Sequence, residues 1–133
     1  MAFIPYSTDD GRVPAWEYIP AGAITPKIGL ALAYSAGKLA IATGKPEYIC
    51  MRDENAAVAS GTVIPVIAVS PGIVFQTQNT ASLASVKEGE AVTLAADGMG
   101  ITATTSSGVA KIVKKHGDAV GSEILVKFEY GGD

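Results

Sequence analysis

The sequence predicts an all-β fold, a small β-barrel or sandwich of short antiparallel strands, with an extended arm at its N-terminus. Two observations predict the strands. Apolar residues alternate with small or polar ones in short segments, and turn residues separate these segments, with fifteen glycines among 133 residues. A third observation predicts the arm, because four of the seven prolines lie in the first 26 residues. A chain of this length forms one domain, so we expect an arm at 1–26 and a β-barrel domain at 27–133.

The arm carries four aromatic residues among its prolines: Phe3, Tyr6, Trp16 and Tyr18. Proline at this density is unfavourable in helices and inside a sheet, and disordered tails seldom hold so many large aromatic side chains. We therefore expect an extended segment whose four aromatic residues bind a partner protein. The alternative is an arm that folds back on its own domain.

A hairpin begins the predicted domain. Segment Ile28–Tyr34 alternates large and small residues, four turn residues follow, and Leu39–Thr43 forms the returning strand. The alternation places four apolar side chains on one face, those of Leu30, Leu32, Leu39 and Ile41.

Three further strands and one helical turn are predicted before residue 86. The strands are Glu47–Arg52, Thr62–Val69 and Ile73–Thr77, with a loop of small residues before the second of them. Pro65 has no N–H to donate, which favours an edge strand or a bulge for Thr62–Val69. The only segment with helical character is Asn79–Ser85.

The C-terminal third has the clearest strand pattern. The dipeptide Asp97-Gly98 predicts a hairpin turn between Ala91–Ala95 and Gly100–Thr105, and Val109–Lys115 follows. The last strand, Glu123–Tyr130, alternates along its length. Its predicted inward residues are Ile124, Val126, Phe128 and Tyr130, and its outward residues are Glu123, Leu125, Lys127 and Glu129.

Composition and charge exclude several classes of partner. The net charge is −3, the basic residues are scattered and only Lys114 and Lys115 are adjacent, so we expect no nucleic-acid partner. No run of 18 apolar residues is present, so we expect no membrane partner, and the N-terminus lacks the features of a signal peptide, which predicts synthesis in the cytoplasm. Only 17% of residues are charged and the mean hydropathy is +0.30. The surplus apolar content predicts both a core and a protein interface, with self-association.

The residue types that carry catalysis or bind metals are nearly absent. The only histidine, His116, lies in a polar turn where we expect it to be exposed, and no Gly-x-Ser-x-Gly motif accompanies it. The only cysteine, Cys50, lies in a predicted strand, where free cysteines are usually buried and inert. Zinc and calcium ligand patterns are absent as well. We therefore expect no catalytic residue, no metal and no cofactor, and we predict that the protein is not an enzyme.

The segment from Ser107 to Phe128 resembles the C-terminal half of biotinyl and lipoyl carrier domains. Its Gly-x-Val strand and Gly-Asp-x-Val turn match that family, and Val86–Val92 resembles the family's first such turn. Carriers bear a modified lysine at a hairpin tip, whereas this tip reads Ala96–Gly100 and no lysine lies between Lys87 and Lys111. This resemblance implies, as the alternative function, a non-catalytic binding module without the modifiable lysine.

A second resemblance covers residues 25 to 130. The order of its motifs resembles the small β-barrel proteins that decorate and stabilise the heads of tailed bacteriophages. These motifs are the Gly-x-Ala-Leu hairpin, Pro46–Met51, Val63–Pro71, Glu88–Gly98 and Gly108–Val113. The resemblance implies a capsid decoration protein on the exterior of the virion. It also implies binding to the assembled lattice of the major capsid protein, often as a homotrimer, with no catalytic residues.

Overall fold

The computed structural model describes residues 2–8, 11, 14–70 and 72–128, which form ten β-strands and no helix. The strands are β1 (Ile4–Thr8), β2 (Trp16–Pro20), β3 (Ala31–Ser35), β4 (Lys38–Ile41), β5 (Tyr48–Cys50), β6 (Val63–Ala68), β7 (Ile73–Gln78), β8 (Ala91–Val92), β9 (Ala110–Lys115) and β10 (Glu123–Lys127). All strand pairs are antiparallel. The all-β prediction is confirmed.

Two five-stranded sheets make up the fold. The first has the order β1-β7-β10-β9-β8 and the second has the order β2-β6-β5-β3-β4. Within the described residues neither sheet closes into a barrel, so of the two predicted architectures the structure is a sandwich. The chain changes sheet twice at one side of the molecule, from β1 to β2 and from β6 to β7, which places all four of these strands at or beside a sheet edge.

The main hydrophobic core lies between the sheets, and we call it the inter-sheet core. The first sheet contributes fully buried side chains that include Phe75, Ile112, Ile124 and Val126. The second contributes Ile49 and Ile67. Burying a side chain of this size is worth about 1.5–3 kcal/mol, so this core supplies much of the driving force for folding.

A second cluster lies on the other face of the second sheet, and we call it the second-sheet core. It contains Ile19, Ala21, Leu30, Leu32, Leu39, Cys50, Ile64 and Val66. The second sheet curls around this cluster until its two outer strands meet at one point. There the Gly22 N–H donates to the carbonyl oxygen of Leu39 at 2.8 Å, beside a bridge between Ala21 and Leu39.

The N-terminal residues are extended, and they lie on their own domain. Strand β1 pairs with β7 and β2 pairs with β6. Phe3 is 0% exposed, and its ring meets that of Phe128 edge-on with centroids 5.1 Å apart. The Phe3 N–H donates to the carbonyl oxygen of Gly29 at 2.9 Å. This packing crosses residue 26, the predicted boundary between arm and domain.

Gly29 is in close contact with Ala2 and Phe3 of the N-terminal segment. Its φ is +89°, a conformation that side chains disfavour, and a Cβ at this position would lie 2.4 Å from the Cβ of Ala2. Only glycine satisfies both constraints, so position 29 holds the N-terminal segment against the domain.

Two predictions about individual strands were wrong. Strand β6 lies between β2 and β5 with an unbroken register, although Pro65 favoured an edge strand or a bulge there. Leu125 is buried although we expected it to face outward. It lies on central strand β10, paired in register with Gln76 and Lys114, whose long side chains flank it. The predicted common face of the hairpin is confirmed, since Ile41 pairs with Leu32; Ile41 is 38% exposed because β4 is an edge strand. Tyr130 lies outside the described residues.

The segment after β7 is irregular where we expected a helical turn. Asn79 is fully buried, and its side-chain amide donates to the carbonyl oxygens of Ala81 and Asp118 and accepts from the Ser122 N–H. The backbone of the segment also bonds to other parts of the chain instead of to itself: the Thr80 N–H donates to the carbonyl oxygen of Ile101 and the Leu83 N–H donates to that of Asp118. The predicted Asp97-Gly98 turn is present, but the strands beside it shorten to β8 and a single bridge between Leu94 and Ile101.

Candidate protein-interaction surface

Strand β2 presents a row of exposed apolar side chains at one edge of the second sheet. Trp16 is 52% exposed and Tyr18 is 66% exposed, and Val63 on the neighbouring strand is 49% exposed. Pairing in register places Tyr18 beside Pro65 and Pro20 beside Val63, and paired residues lie on the same face of a sheet. We call this row the aromatic edge: Trp16, Tyr18, Pro20, Val63 and Pro65.

The curl of the second sheet explains why this row is exposed. The residues that alternate with it, Ile19, Ile64 and Val66, belong to the second-sheet core. The aromatic edge lies on the other face of the second sheet. Farther along the sheet, residues of this same face pack into the inter-sheet core, and Ile67, which pairs with Trp16, is one of them. As the sheet bends around its own core, this margin turns away from the first sheet. Large aromatic side chains are then left in water without cover.

The two prolines reveal which backbone groups of β2 are available. Pro20 and Pro65 have no N–H, so their pairs occupy the positions that do not exchange hydrogen bonds. The hydrogen-bonded positions are those of Glu17 and Ile19. The N–H and C=O groups of Trp16 and Tyr18 therefore point away from β6, toward the edge of the sheet. On that side β2 comes close to β4: just after β2 ends, Ala21 forms a bridge with Leu39 and the Gly22 N–H donates to the Leu39 carbonyl oxygen.

The structure separates the four aromatic residues that the sequence predicts to bind a partner. Trp16 and Tyr18 lie together on β2. Tyr6 is 59% exposed on β1, the edge strand of the other sheet, at a β-bulge between Pro5 and Ser7. Phe3 has no exposed surface to offer, because its ring fills the inter-sheet core. For the three exposed residues, partner binding stays a prediction.

A second group of side chains lies at the opposite, concave face of the second sheet. It consists of Glu17, Tyr34, Glu47 and Tyr48, and we call it the tyrosine mouth. Glu17 pairs with Val66 and so lies on the side of the second-sheet core. The rings of Tyr34 and Tyr48 meet at right angles with centroids 5.8 Å apart, and a carboxylate oxygen of Glu47 accepts the Tyr34 N–H at 3.0 Å. Sequence reasoning missed this group because its members come from three strands.

The electrostatics of the tyrosine mouth are negative. Burial raises the pKa of the Tyr48 hydroxyl above its usual range, and neighbouring Tyr34 and the carboxylates of Glu17 and Glu47 raise it further. Each of these carboxylates disfavours a second negative charge on the ring. Among the described residues no ion pair joins Glu17 or Glu47 to a basic side chain.

The residues most often used in catalysis lie apart from one another. His116 is exposed in the turn after β9, as predicted. Cys50 is fully buried in β5, as predicted, and burial raises the pKa of its thiol. The described residues contain no group of three or more histidine, cysteine and acidic side chains placed to hold a metal ion.

The turn at Asp97-Gly98 packs against the second sheet. The Ala31 N–H donates to the carbonyl oxygen of Gly98 at 2.9 Å. A Cβ on Gly98 would lie 2.9 Å from the Cγ2 of Ile41. In the turn that corresponds to the carrier tip, Gly98 is therefore packed against the second sheet, while Ala96 and Asp97 are exposed.

The described part of the chain contains no helix that is long and apolar enough to span a membrane. A scan against protein-family models finds no match to the chain. A search of curated proteins finds no match either.

Proposed function

We propose that this chain is a capsid decoration protein of a tailed bacteriophage, which binds the assembled lattice of the major capsid protein on the exterior of the virion and stabilises the head. The observation that carries the proposal is the aromatic edge. It combines exposed tryptophan and tyrosine side chains with backbone groups that point toward the edge of the sheet. The resemblance of residues 25 to 130 to head-decorating proteins supplies the identity of the partner.

The aromatic edge has the composition of a protein-binding hot spot. Tryptophan and tyrosine contribute large contact areas for little loss of side-chain freedom, and they are enriched among residues that dominate binding energy. Here the backbone that carries Trp16 and Tyr18 needs no ordering on binding, because β6 already holds their strand in place. Pre-organised apolar surface of this kind suits a protein that adds to a finished lattice.

Stabilisation of the head follows from selective binding. A protein that binds assembled capsid subunits but not free ones shifts the equilibrium toward the assembled state by mass action. Self-association into a trimer is part of the proposal, because decoration proteins of the resembled kind often occupy local threefold positions. Light scattering on the purified protein measures that state directly.

The test of the proposal uses heads assembled from the major capsid protein of the phage that encodes this chain. We expect the purified chain to sediment with these heads, to remain in the supernatant with unassembled capsid protein, and to raise the temperature at which the heads disrupt. Heads that bind none of the chain, or that disrupt at an unchanged temperature when saturated with it, would contradict the proposal.

A further inference from the structure

The exposed edge of β2 has the properties of a site for one additional strand. Trp16 and Tyr18 direct their backbone N–H and C=O groups away from β6, so an extended segment can pair with them. Such pairing gives affinity through main-chain hydrogen bonds and specificity through alternate side chains. Successive side chains of an added strand would point to opposite faces of the second sheet, so the environment on each face determines which side chains are favoured there.

The two faces of β2 demand different side chains from such a strand. Residues opposite Trp16 and Tyr18 would lie on the outer face, against the aromatic edge, where apolar side chains are favoured. The residue between them, opposite Glu17, would lie on the concave face, toward the tyrosine mouth. The added strand therefore needs an apolar residue opposite Trp16, a residue that faces the tyrosine mouth opposite Glu17, and a second apolar residue opposite Tyr18.

The tyrosine mouth selects a cation for the middle position. The rings of Tyr34 and Tyr48 stand at 90° to each other, and perpendicular aromatic rings with nearby carboxylates bind organic cations through the negative ring faces and ion pairing. A planar guanidinium group suits this arrangement better than an ammonium group, because it stacks on a ring and bonds a carboxylate with two N–H groups at once. Glu17 and Glu47 supply the carboxylates.

We infer that the β2 edge binds an extended segment of its partner in which an arginine lies between two apolar residues, with the guanidinium group in the tyrosine mouth. The inference rests on the proposed function, since it assigns this segment to the capsid protein. It deepens that function by stating which kind of sequence in the partner is recognised.

The experiment titrates the isotope-labelled full chain with two peptides and follows the backbone amides and tyrosine rings by NMR. One peptide is acetyl-Thr-Val-Arg-Val-Thr-amide, and the other replaces arginine by citrulline, which has the same shape and no charge. We expect the largest shifts at the amides of Trp16 and Tyr18 and at the rings of Tyr34 and Tyr48. The citrulline peptide should bind about tenfold more weakly.

Two variants test which carboxylate causes the difference in affinity between the two peptides. Glu17→Gln should remove most of the tenfold difference, because it removes one carboxylate from the mouth. Glu123→Gln is the matched control on the first sheet, where the glutamine keeps an oxygen that can accept from Gln76, and it should preserve the difference. Equal affinity for both peptides, or shifts centred away from β2, would overturn the inference.

Free arginine amide tests whether the main chain of the segment matters. If free arginine amide binds as tightly as the peptide, the site recognises a small cation and the strand pairing is wrong. Binding of the chain to heads without discrimination between the peptides rejects this inference and leaves the decoration function standing. Discrimination between the peptides without binding to heads rejects the decoration function.

Discussion

The two sheets of this protein use their apolar residues differently. The first sheet buries one face in the inter-sheet core, and its other face carries residues such as Gln76, Lys114 and Lys127. The second sheet buries both faces, one in the inter-sheet core and one in the second-sheet core. The high apolar content of the chain is therefore mostly core. Of the ten large apolar side chains that are exposed among the described residues, three lie together at the aromatic edge: Trp16, Tyr18 and Val63.

The comparison predicts that the second-sheet core is as important to folding as the inter-sheet core. Ile64 and Ile124 are both 0% exposed, one in each core, so Ile64→Ala and Ile124→Ala form a matched pair. We expect each variant to lower the free energy of unfolding by about 4 kcal/mol, measured by urea denaturation. A cost below about 1 kcal/mol for Ile64→Ala alone would mean that the second sheet has only one true core.

The N-terminal segment should depend on its contact with the second sheet at Gly29. Gly29→Ala introduces a methyl group into backbone contact at a positive φ, and we expect a loss of about 3 kcal/mol in a urea melt. Gly37 is the control, because its φ is +81° and a Cβ there meets nothing within 4 Å. Gly37→Ala should cost only about 1 kcal/mol, the strain alone. Equal losses of unfolding free energy in the two variants would show that the N-terminal segment does not pack against Gly29.

The first sheet contains one polar group that its core does not satisfy. Thr77 is 2% exposed and faces inward from β7, and its hydroxyl has no hydrogen-bond partner among the residues that the structure describes. Thr77→Val removes the hydroxyl and keeps the shape, so we expect the free energy of unfolding to rise by about 1 kcal/mol. Thr93 is the control, since its hydroxyl bonds that of Thr102 at 2.6 Å, and Thr93→Val should not stabilise. A loss of stability in Thr77→Val would contradict the structure at this position.

The same difference between the sheets explains what the sequence could predict. The β3–β4 hairpin was predictable because its residues alternate and its turn residues are local in the chain. The extended backbone at Trp16 and Tyr18 was predictable because proline at this density is unfavourable in helices and inside a sheet. Local patterns of this kind indicate strands and turns without any knowledge of which strands pair.

Features that depend on pairing or curvature could not be predicted. Phe3 lies in the same proline-rich segment as Tyr6, and only the pairing of β1 with β7 separates the buried ring from the exposed one. Ile64, Val66 and Ile67 are all buried because their strand lies inside a curled sheet with apolar residues on both faces. The sequence of one strand does not show how strongly its sheet is curved. The tyrosine mouth needs the register of several strands at once.

The most direct test of the account is the binding of a Trp16→Ala/Tyr18→Ala double variant to assembled heads. Both side chains are exposed, so the variant should fold with an almost unchanged melting temperature, and Val120→Ala, at a 64% exposed position away from β2, is the control. We predict that the affinity of the double variant for heads falls at least about tenfold, while the control binds like the unmodified chain. A folded double variant that binds heads as tightly as the unmodified chain would contradict the claim that the aromatic edge is the binding surface.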